Sequence, residues 1–416
     1  MSFATLGLCD ELLQAIAEQG YTSPTAIQLE AIPAVLSGRD VMAAAHTGTG
    51  KTASFTLPML QLLSRGESPQ ALQVRALVLT PTRELAAQVM QSVQVYSTHL
   101  KIRTAAVFGG VRIEPQIAEL QIGVDVLVGT PGRLLDLHSQ GAMSFDTLEI
   151  LVLDEADRML ELGFIDDIQR IQALLPEKRQ TLMFSATFSE AIKSLAHKMF
   201  TNPLMIEAAA ANSTVTAIKQ LVHPVDQERK SELLIDLIKR NQWHQVLVFI
   251  RTKKGADILV SELKKAGIKA ESIHADRSQH ARTQALENFR NGQIVALIAT
   301  DIAARGLDVS QLPCVVNFDL PYVPEDYVHR IGRTGRAGAE GLAVSLVSEA
   351  EYKQLKSIEQ LIGLTLERKI LRGFMPTEKA PKSPYDDAEY GCFEPDRKPS
   401  SKPKSSHRRA KSSRRR

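Results

Sequence analysis

The residues with the clearest chemistry are the run Ala45-His46-Thr47-Gly48-Thr49-Gly50-Lys51-Thr52, set between the apolar stretch Val41-Met42-Ala43-Ala44 and a helical pattern opening near Ala53. Glycines let successive backbone N–H groups turn toward phosphate oxygens, and the following helix adds its N-terminal partial charge. Lys51 supplies a cation and Thr52 a hydroxyl for magnesium, so Thr47, Gly48, Thr49, Gly50, Lys51 and Thr52 form a candidate phosphate cradle. The general pattern G-x-x-x-x-G-K-[ST] opens on glycine, where this chain has Ala45. Further along, the apolar run Ile150–Leu153 ends in Asp154-Glu155-Ala156-Asp157. An acid at a strand end suits Mg²⁺ opposite Thr52, and its neighbour Glu155 is placed to orient and deprotonate an attacking water. Acids after a strand also serve simply as helix caps; their coupling to the cradle is what makes them catalytic candidates.

The elements that must position these groups follow from hydrophobic patterning. Phe3 to about Ser37 has helical periodicity, with Leu8, Leu12, Leu13 and Ile16 on one stripe. Short apolar runs then alternate with helical stretches. Buried-strand candidates are Val41–Ala44, Ala76–Thr80, Thr104–Phe108, Val124–Val128, Ile150–Leu153 and Thr181–Phe184. The alternation pauses near Ile206–Thr214 in a small-residue segment that reads as a linker. A second unit follows, with strand candidates Gln245–Phe249, Lys269–Ile273, Val295–Ala299, Cys314–Asn317 and Leu342–Leu346, and helices near Arg229–Arg240, Gly255–Lys265 and Gln279–Phe289. The fold class is α/β with mostly parallel sheets, divided as 1–207, a linker at 208–217, and 218–378. After Val248-Phe249-Ile250 the second unit reads Arg251-Thr252-Lys253-Lys254 without a glycine-rich turn, so only the first unit has a cradle of its own.

Composition bounds the rest. With 44% hydrophobic and 23% charged residues, the 416-residue chain is ordinary for a water-soluble protein of two domains. It shows neither a long apolar run nor a signal-peptide pattern, which points to the cytoplasm and away from membranes. Cys9, Cys314 and Cys392 are scattered and suggest neither disulfides nor zinc. The net charge of +3 hides an asymmetry: Arg397–Arg416 holds ten of the 50 basic residues and none of the 47 acidic ones, which leaves the preceding chain at −7. Ser, Pro, Lys and Arg dominate residues 379–416 toward their end, a composition expected to be disordered and to attract nucleic acid, or to act only as a solubilising tail.

Asp154-Glu155-Ala156-Asp157 is also the name-giving motif of the DEAD-box RNA helicases, and the chain resembles that family from Phe3 to about Leu371. The shared motifs include Gly20-Tyr21…Gln28, the cradle, Pro81-Thr82-Arg83-Glu84-Leu85, Gly109-Gly110, Thr130-Pro131-Gly132-Arg133, Ser185-Ala186-Thr187, Gln279…Arg282, Ala303–Asp308 and His329–Arg336. Within the family the chain is most similar to the bacterial RhlE-type branch. The family begins its cradle with Ala, which accounts for Ala45; His46 departs from the usual Gln. The resemblance implies two RecA-like domains in tandem, closing on ATP and Mg²⁺.

Tyr21 is then expected to stack on the base, and Gln28 to accept from the adenine 6-amino group while donating to N7, a bidentate pair worth about 1–3 kcal/mol of discrimination. Gly306 and Asp308 are expected to touch the nucleotide from the second domain. Arg333 and Arg336 are candidates for stabilising charge on the γ-phosphoryl oxygens, a role worth about 10³–10⁵ in rate, with Arg336 as the finger. The resemblance makes the partner RNA, held through its backbone by Thr82, Arg83, Gly110, Thr130, Pro131 and Arg133, with Gln279, Arg282, Thr300 and Asp301 continuing the track. Asp157, Ser185 and Thr187 are expected to couple RNA binding to the ATP site. A monomeric RNA helicase with ribosomal or RNA-decay protein partners is the resulting expectation. An ATP-dependent RNA clamp and a DNA-unwinding motor are the alternatives.

Overall fold

The computed structural model describes residues 2–45, 49–186, 188–200, 202–207, 218–304, 309, 312–335 and 341–377. Thr47, Gly48, Thr187, Gly306, Asp308 and Arg336, the linker 208–217 and the tail from 379 onward therefore lie outside the described residues.

In the first unit the strands are β1 (Val41–Ala44), β2 (Val74–Leu79), β3 (Thr104–Val107), β4 (Val124–Gly129), β5 (Ile150–Asp154), β6 (Gln180–Ser185) and β7 (Leu204–Glu207). They form one parallel sheet in the order β3-β4-β2-β5-β6-β1-β7. Parallel neighbours need crossovers, and helices supply them. Helices α1 (Asp10–Glu18) and α2 (Ala26–Leu36) precede the sheet, and the crossovers are α3 (Lys51–Ser64), α4 (Arg83–Tyr96), α5 (Glu114–Leu120), α6 (Pro131–Ser139), α7 (Ala156–Glu161), α8 (Ile165–Ala173) and α9 (Glu190–Met199). The pleat sends alternate residues to opposite faces. Val41, Val78, Val128, Val152 and Phe184 join the cluster under α2–α4, whereas Met42, Leu79, Leu127, Leu153 and Met183 join the one under α6–α9. A strand buried on both faces reads as a near-continuous apolar run, which is why these runs were legible; the buried polar exceptions inside β2 and β4, Arg75 and Asp125, neutralise each other at 2.9 Å.

The second unit contains β8 (Ile218–Pro224), β9 (Val246–Phe249), β10 (Ala270–Ile273), β11 (Ala296–Ala299), β12 (Cys314–Asn317), β13 (Gly341–Val347) and β14 (Glu367–Arg368). Its described helices are α10 (Lys230–Arg240), α11 (Lys253–Lys265), α12 (Gln279–Arg290), α13 (Asp301–Ala304), α14 (Pro324–Ile331) and α15 (Tyr352–Ile362). The sheet order is β10-β11-β9-β12-β13-β8-β14, the order of the first sheet repeated strand for strand. β1 thus corresponds to β8, β2 to β9 and β5 to β12.

Three strands were absent from the sequence reading: β7, β8 and β14. Only Ile206 of β7 is buried, and β8 mixes Lys219, Gln220 and His223 with apolar residues. Ile206 and Glu207, read as the start of the linker, pair instead with Ala43 and Ala44 of β1. No described helix is long and apolar enough to cross a membrane.

Candidate active site

Gly50 ends the cradle at φ +92° and caps α3, so Lys51 and Thr52 open the helix with free N–H groups at its head. A side chain at Gly50 would stand 2.4 Å from Gln28 Nε2, so glycine is needed for close approach as well as for its dihedral. Gln28 reaches in both directions. Its Oε1 accepts from Thr25 N–H at 2.9 Å, forming a capping box at the head of α2, and its Nε2 donates to the Gly50 carbonyl at 3.2 Å. The amide expected to read adenine therefore already ties α2 to the cradle, with one lone pair and one N–H left for a base.

Tyr21 is 56% exposed, beside Tyr96, whose hydroxyl is pushed up by burial and by its contact with Tyr21. Both line a cavity of about 470 Å³ with Gln28, Lys51, Thr52 and Glu155, and Arg333 closes it from the second unit. That volume suits a nucleotide.

At the end of β5 the two acids are held differently. Asp154 is buried, and its Oδ1 accepts from Glu155 N–H at 3.0 Å. Loss of hydration pushes its carboxyl up to about 7, with Lys51 opposing and Glu155 and Asp157 reinforcing the shift. Glu155 sits at φ 54°, ψ 52°, a left-handed conformation that costs a non-glycine residue on the order of 1–3 kcal/mol. Burial raises its carboxyl too; Lys51 and then Arg333 pull it back. Two desolvated carboxylates facing one lysine form a donor set that fits a hard divalent cation.

Asp157 accepts from Ala186 N–H at 2.9 Å and, through its other oxygen, from Arg158 N–H at 2.9 Å. The expected link to Ser185 thus runs through the backbone of the next residue. The Ser185 hydroxyl itself is buried without a hydrogen-bond partner.

Several residues expected on an RNA track prove to be committed elsewhere. Gln279 Nε2 donates to Glu84 Oε1 at 3.2 Å and Arg282 lies 2.8 Å from the same carboxylate, joining α12 to α4 across the two units. Asp301 forms a two-toothed pair with buried Arg330 at 2.6 and 2.7 Å, where a carboxylate would in any case repel phosphate. Thr300 is buried. Arg133 donates to the Val111 carbonyl at 3.0 Å and so braces the glycine loop. By contrast Thr82, Gly110 and Thr130 lie in the loops after β2, β3 and β4, and Arg83 and Pro131 open the helices that follow the first and last of these loops. Thr82 caps α4 by accepting from Leu85 N–H at 3.2 Å, and a side chain on Gly110 would collide with the Arg83 guanidinium.

The family models for the DEAD/DEAH box helicase and the helicase conserved C-terminal domain match residues 25–195 and 229–338. The chain is 41% identical over 366 residues to the DEAD-box ATP-dependent RNA helicase RhpA of Helicobacter pylori, covering 88% of this chain and 73% of that one. It belongs to the DEAD-box RNA helicase family. This helicase is likewise 42% identical to CshA of Bacillus cereus, over 90% of its own length and 70% of that protein. Among solved structures it is similar to Saccharomyces cerevisiae Dbp5 bound to RNA and ADP BeF3, at 35% identity and a TM-score of 0.80, covering 91% and 96% of the two chains. Against a Dbp5 variant bound to Nup159, Gle1, IP6 and ADP, at 34% identity and covering 90% and 96%, the TM-score is 0.62. The helicase therefore has its two domains arranged more nearly as in the first of these Dbp5 structures than as in the second. It is an RNA-dependent ATPase that works by closing them.

The repeated sheet order exposes residues that motif reading passed over. Thr252 follows β9 as Thr82 follows β2, and it caps α11 by accepting from Gly255 N–H at 3.1 Å. Lys230 opens α10 as Lys51 opens α3, but it is buried against Phe318 O, Asp319 and Glu351. The second domain thus keeps the lysine of a phosphate site with its charge already satisfied. Aligning the two halves strand by strand was the signal that would have found both.

Proposed function

We propose that the helicase, with domains at 1–207 and 218–378, a linker at 208–217 and a basic tail at 379–416, acts as a monomeric cytoplasmic enzyme that shares one ATP between its domains. It would separate short RNA duplexes by bending one bound strand. The main support is one juxtaposition: Arg333 of the second domain and Glu155 of the first face the same cavity, so one chain supplies both halves of the reaction site.

In this reading Tyr21 and Gln28 hold adenine, Lys51 and the head of α3 hold the phosphates, and Glu155 orients the attacking water and takes its proton. Arg333 with Arg336 stabilises the charge that spreads over the γ-phosphoryl oxygens. Mg²⁺, when bound by Asp154 and Thr52, would neutralise charge on the phosphates. Thr47, Gly48 and Thr49 complete the cradle, and Gly306 and Asp308 contact the nucleotide from the second domain. Thr82, Arg83, Gly110, Thr130 and Pro131 hold the sugar–phosphate chain. Asp157, through Ala186, couples the loop after β6 to the acids of β5, with Ser185 and Thr187 flanking the link. The contribution of Gln279 and Arg282 is indirect, through Glu84.

Glu155→Gln is expected to abolish RNA-stimulated ATP turnover while ATP-dependent RNA binding persists. Turnover at the wild-type rate, measured by phosphate release, would remove Glu155 from the base role.

A further inference from the structure

Two Phe, Tyr or Trp side chains are strongly exposed among the described residues. Tyr21 belongs to the nucleotide cavity. Tyr322, 72% exposed in the loop between β12 and α14, has no part in it.

The Tyr322 ring is nevertheless held. The Arg251 guanidinium lies 5.0 Å from its centroid. Arg251 is anchored in turn: its N–H donates to Asp319 Oδ2 at 3.0 Å, and its guanidinium stands 3.4 Å from Glu351 and 3.7 Å from Asp319. Those two carboxylates are themselves pinned by buried Lys230. One side of the ring is braced by a fixed cation and the rest is open to solvent, so little freedom remains to be lost when a flat ligand settles on it.

The surroundings indicate the ligand. Arg251 precedes two exposed cations at the head of α11, Lys253 and Lys254, and Arg277 is exposed in the loop after β10; Lys253 is paired with Asp276 at 2.6 Å, which leaves Lys254 and Arg277 for a phosphate chain. The corresponding loops of the first domain carry Thr82, Arg83 and Gly110. Beside Tyr322 lies a cleft of about 570 Å³, lined also by Thr252, Ile258, Glu228 and Glu262. The two glutamates disfavour a phosphate inside the cleft. A strand would therefore keep its phosphates along the cations and offer only an uncharged base to the ring.

We infer that Tyr322, braced by Arg251, is a stacking platform for one unpaired base of the RNA strand that crosses the second domain. This rests on the proposed RNA track, and on its continuing from the first-domain loops that carry Thr82, Arg83 and Gly110 onto the equivalent loops after β9 and β10; it adds a base contact to backbone-directed binding. It carries no sequence preference, because every base presents a π face.

The test uses the full chain, a fluorescent oligouridylate of about ten nucleotides and a non-hydrolysable ATP analogue. Tyr322→Ala is expected to weaken binding about tenfold, within the range for losing one base–aromatic stack. Tyr322→Phe should restore it, and the salt dependence should stay as in wild type because no phosphate contact is lost. The ATPase kcat at saturating RNA and the thermal midpoint should be unchanged. Strands with an abasic site walked along the sequence locate the contact: at one position the Tyr322→Ala penalty disappears. Wild-type affinity in Tyr322→Ala shows a merely solvated tyrosine or a protein-docking residue and overturns the platform. A penalty indifferent to every abasic position, or not rescued by Phe, overturns it as well. Failure of the wild-type chain to bind the strand would instead overturn the RNA track itself.

Discussion

Asp154 shows how a single buried carboxylate ties stability to pH. Its carboxyl rises from 3.8 to about 7 because burial removes water from the charged form. Below about pH 4 both folded and unfolded chains hold the proton. Between about 4 and 7 the folded chain keeps a proton that the unfolded chain has released, so this group's contribution to stability falls as pH rises and is gone above about 7. Asp154→Asn should therefore flatten the decline of the unfolding free energy, read from urea titrations across that window, by an amount on the order of a few kcal/mol at most. An unchanged pH profile in the variant would show that Asp154 titrates as an ordinary carboxylate. The identity of Asp154 as a site residue was legible, since it ends an apolar run and precedes Glu155. The left-handed backbone of Glu155 was not, because no glycine or asparagine marks it. Nor was the double use of Gln28, whose partner Gly50 is distant in sequence and meets it only in the fold.

At the scale of elements, strands buried on both faces declared themselves as near-continuous apolar runs, and their ends lie within a residue or two of the sequence reading. β8 was missed because its stability comes from pairing along Gly341–Val347 rather than from its own pattern. The contact between α4 and α12 was invisible for a related reason: Gln279 and Arg282 read as RNA contacts and Glu84 as part of a shared motif, and only the two helices side by side bring the three together. Glu84 and Arg282 keep only 11% and 12% exposure, so removing one leaves a poorly hydrated charge on the other. Because the pair joins the two domains, it should favour the closed state specifically. Arg282→Ala is expected to weaken ATP-dependent RNA binding about 5- to 150-fold, the range for a coupling of about 1–3 kcal/mol. A Glu84→Ala, Arg282→Ala double-mutant cycle should show most of that loss as interaction energy. Additive effects would mean that each residue acts alone, as the direct phosphate contact expected for Arg282 requires.

The whole molecule is a repeated fold put to unequal use. Both sheets have one strand order, yet Lys51 faces an open cavity while Lys230 is satisfied by Asp319 and Glu351, an asymmetry that supports the proposal of one shared nucleotide rather than two. Charge is divided just as unequally. All but the last twenty residues carry a net −7, while Arg397–Arg416 carries ten cations. A polyanion approaching a chain so divided is drawn first to the basic end, through counterion release, with each neutralised phosphate of a single strand adding about −0.7 to the logarithmic salt slope. Deleting residues 397–416 should therefore weaken RNA binding most at low salt and make the slope shallower. The ATPase rate at saturating RNA should change little, because Glu155, Arg333 and the loops after β2–β4 remain. The measurement is RNA affinity across a salt series for the full and shortened chains. Parallel slopes would show that the tail neutralises no phosphate and that the −7 body binds RNA through its loops alone.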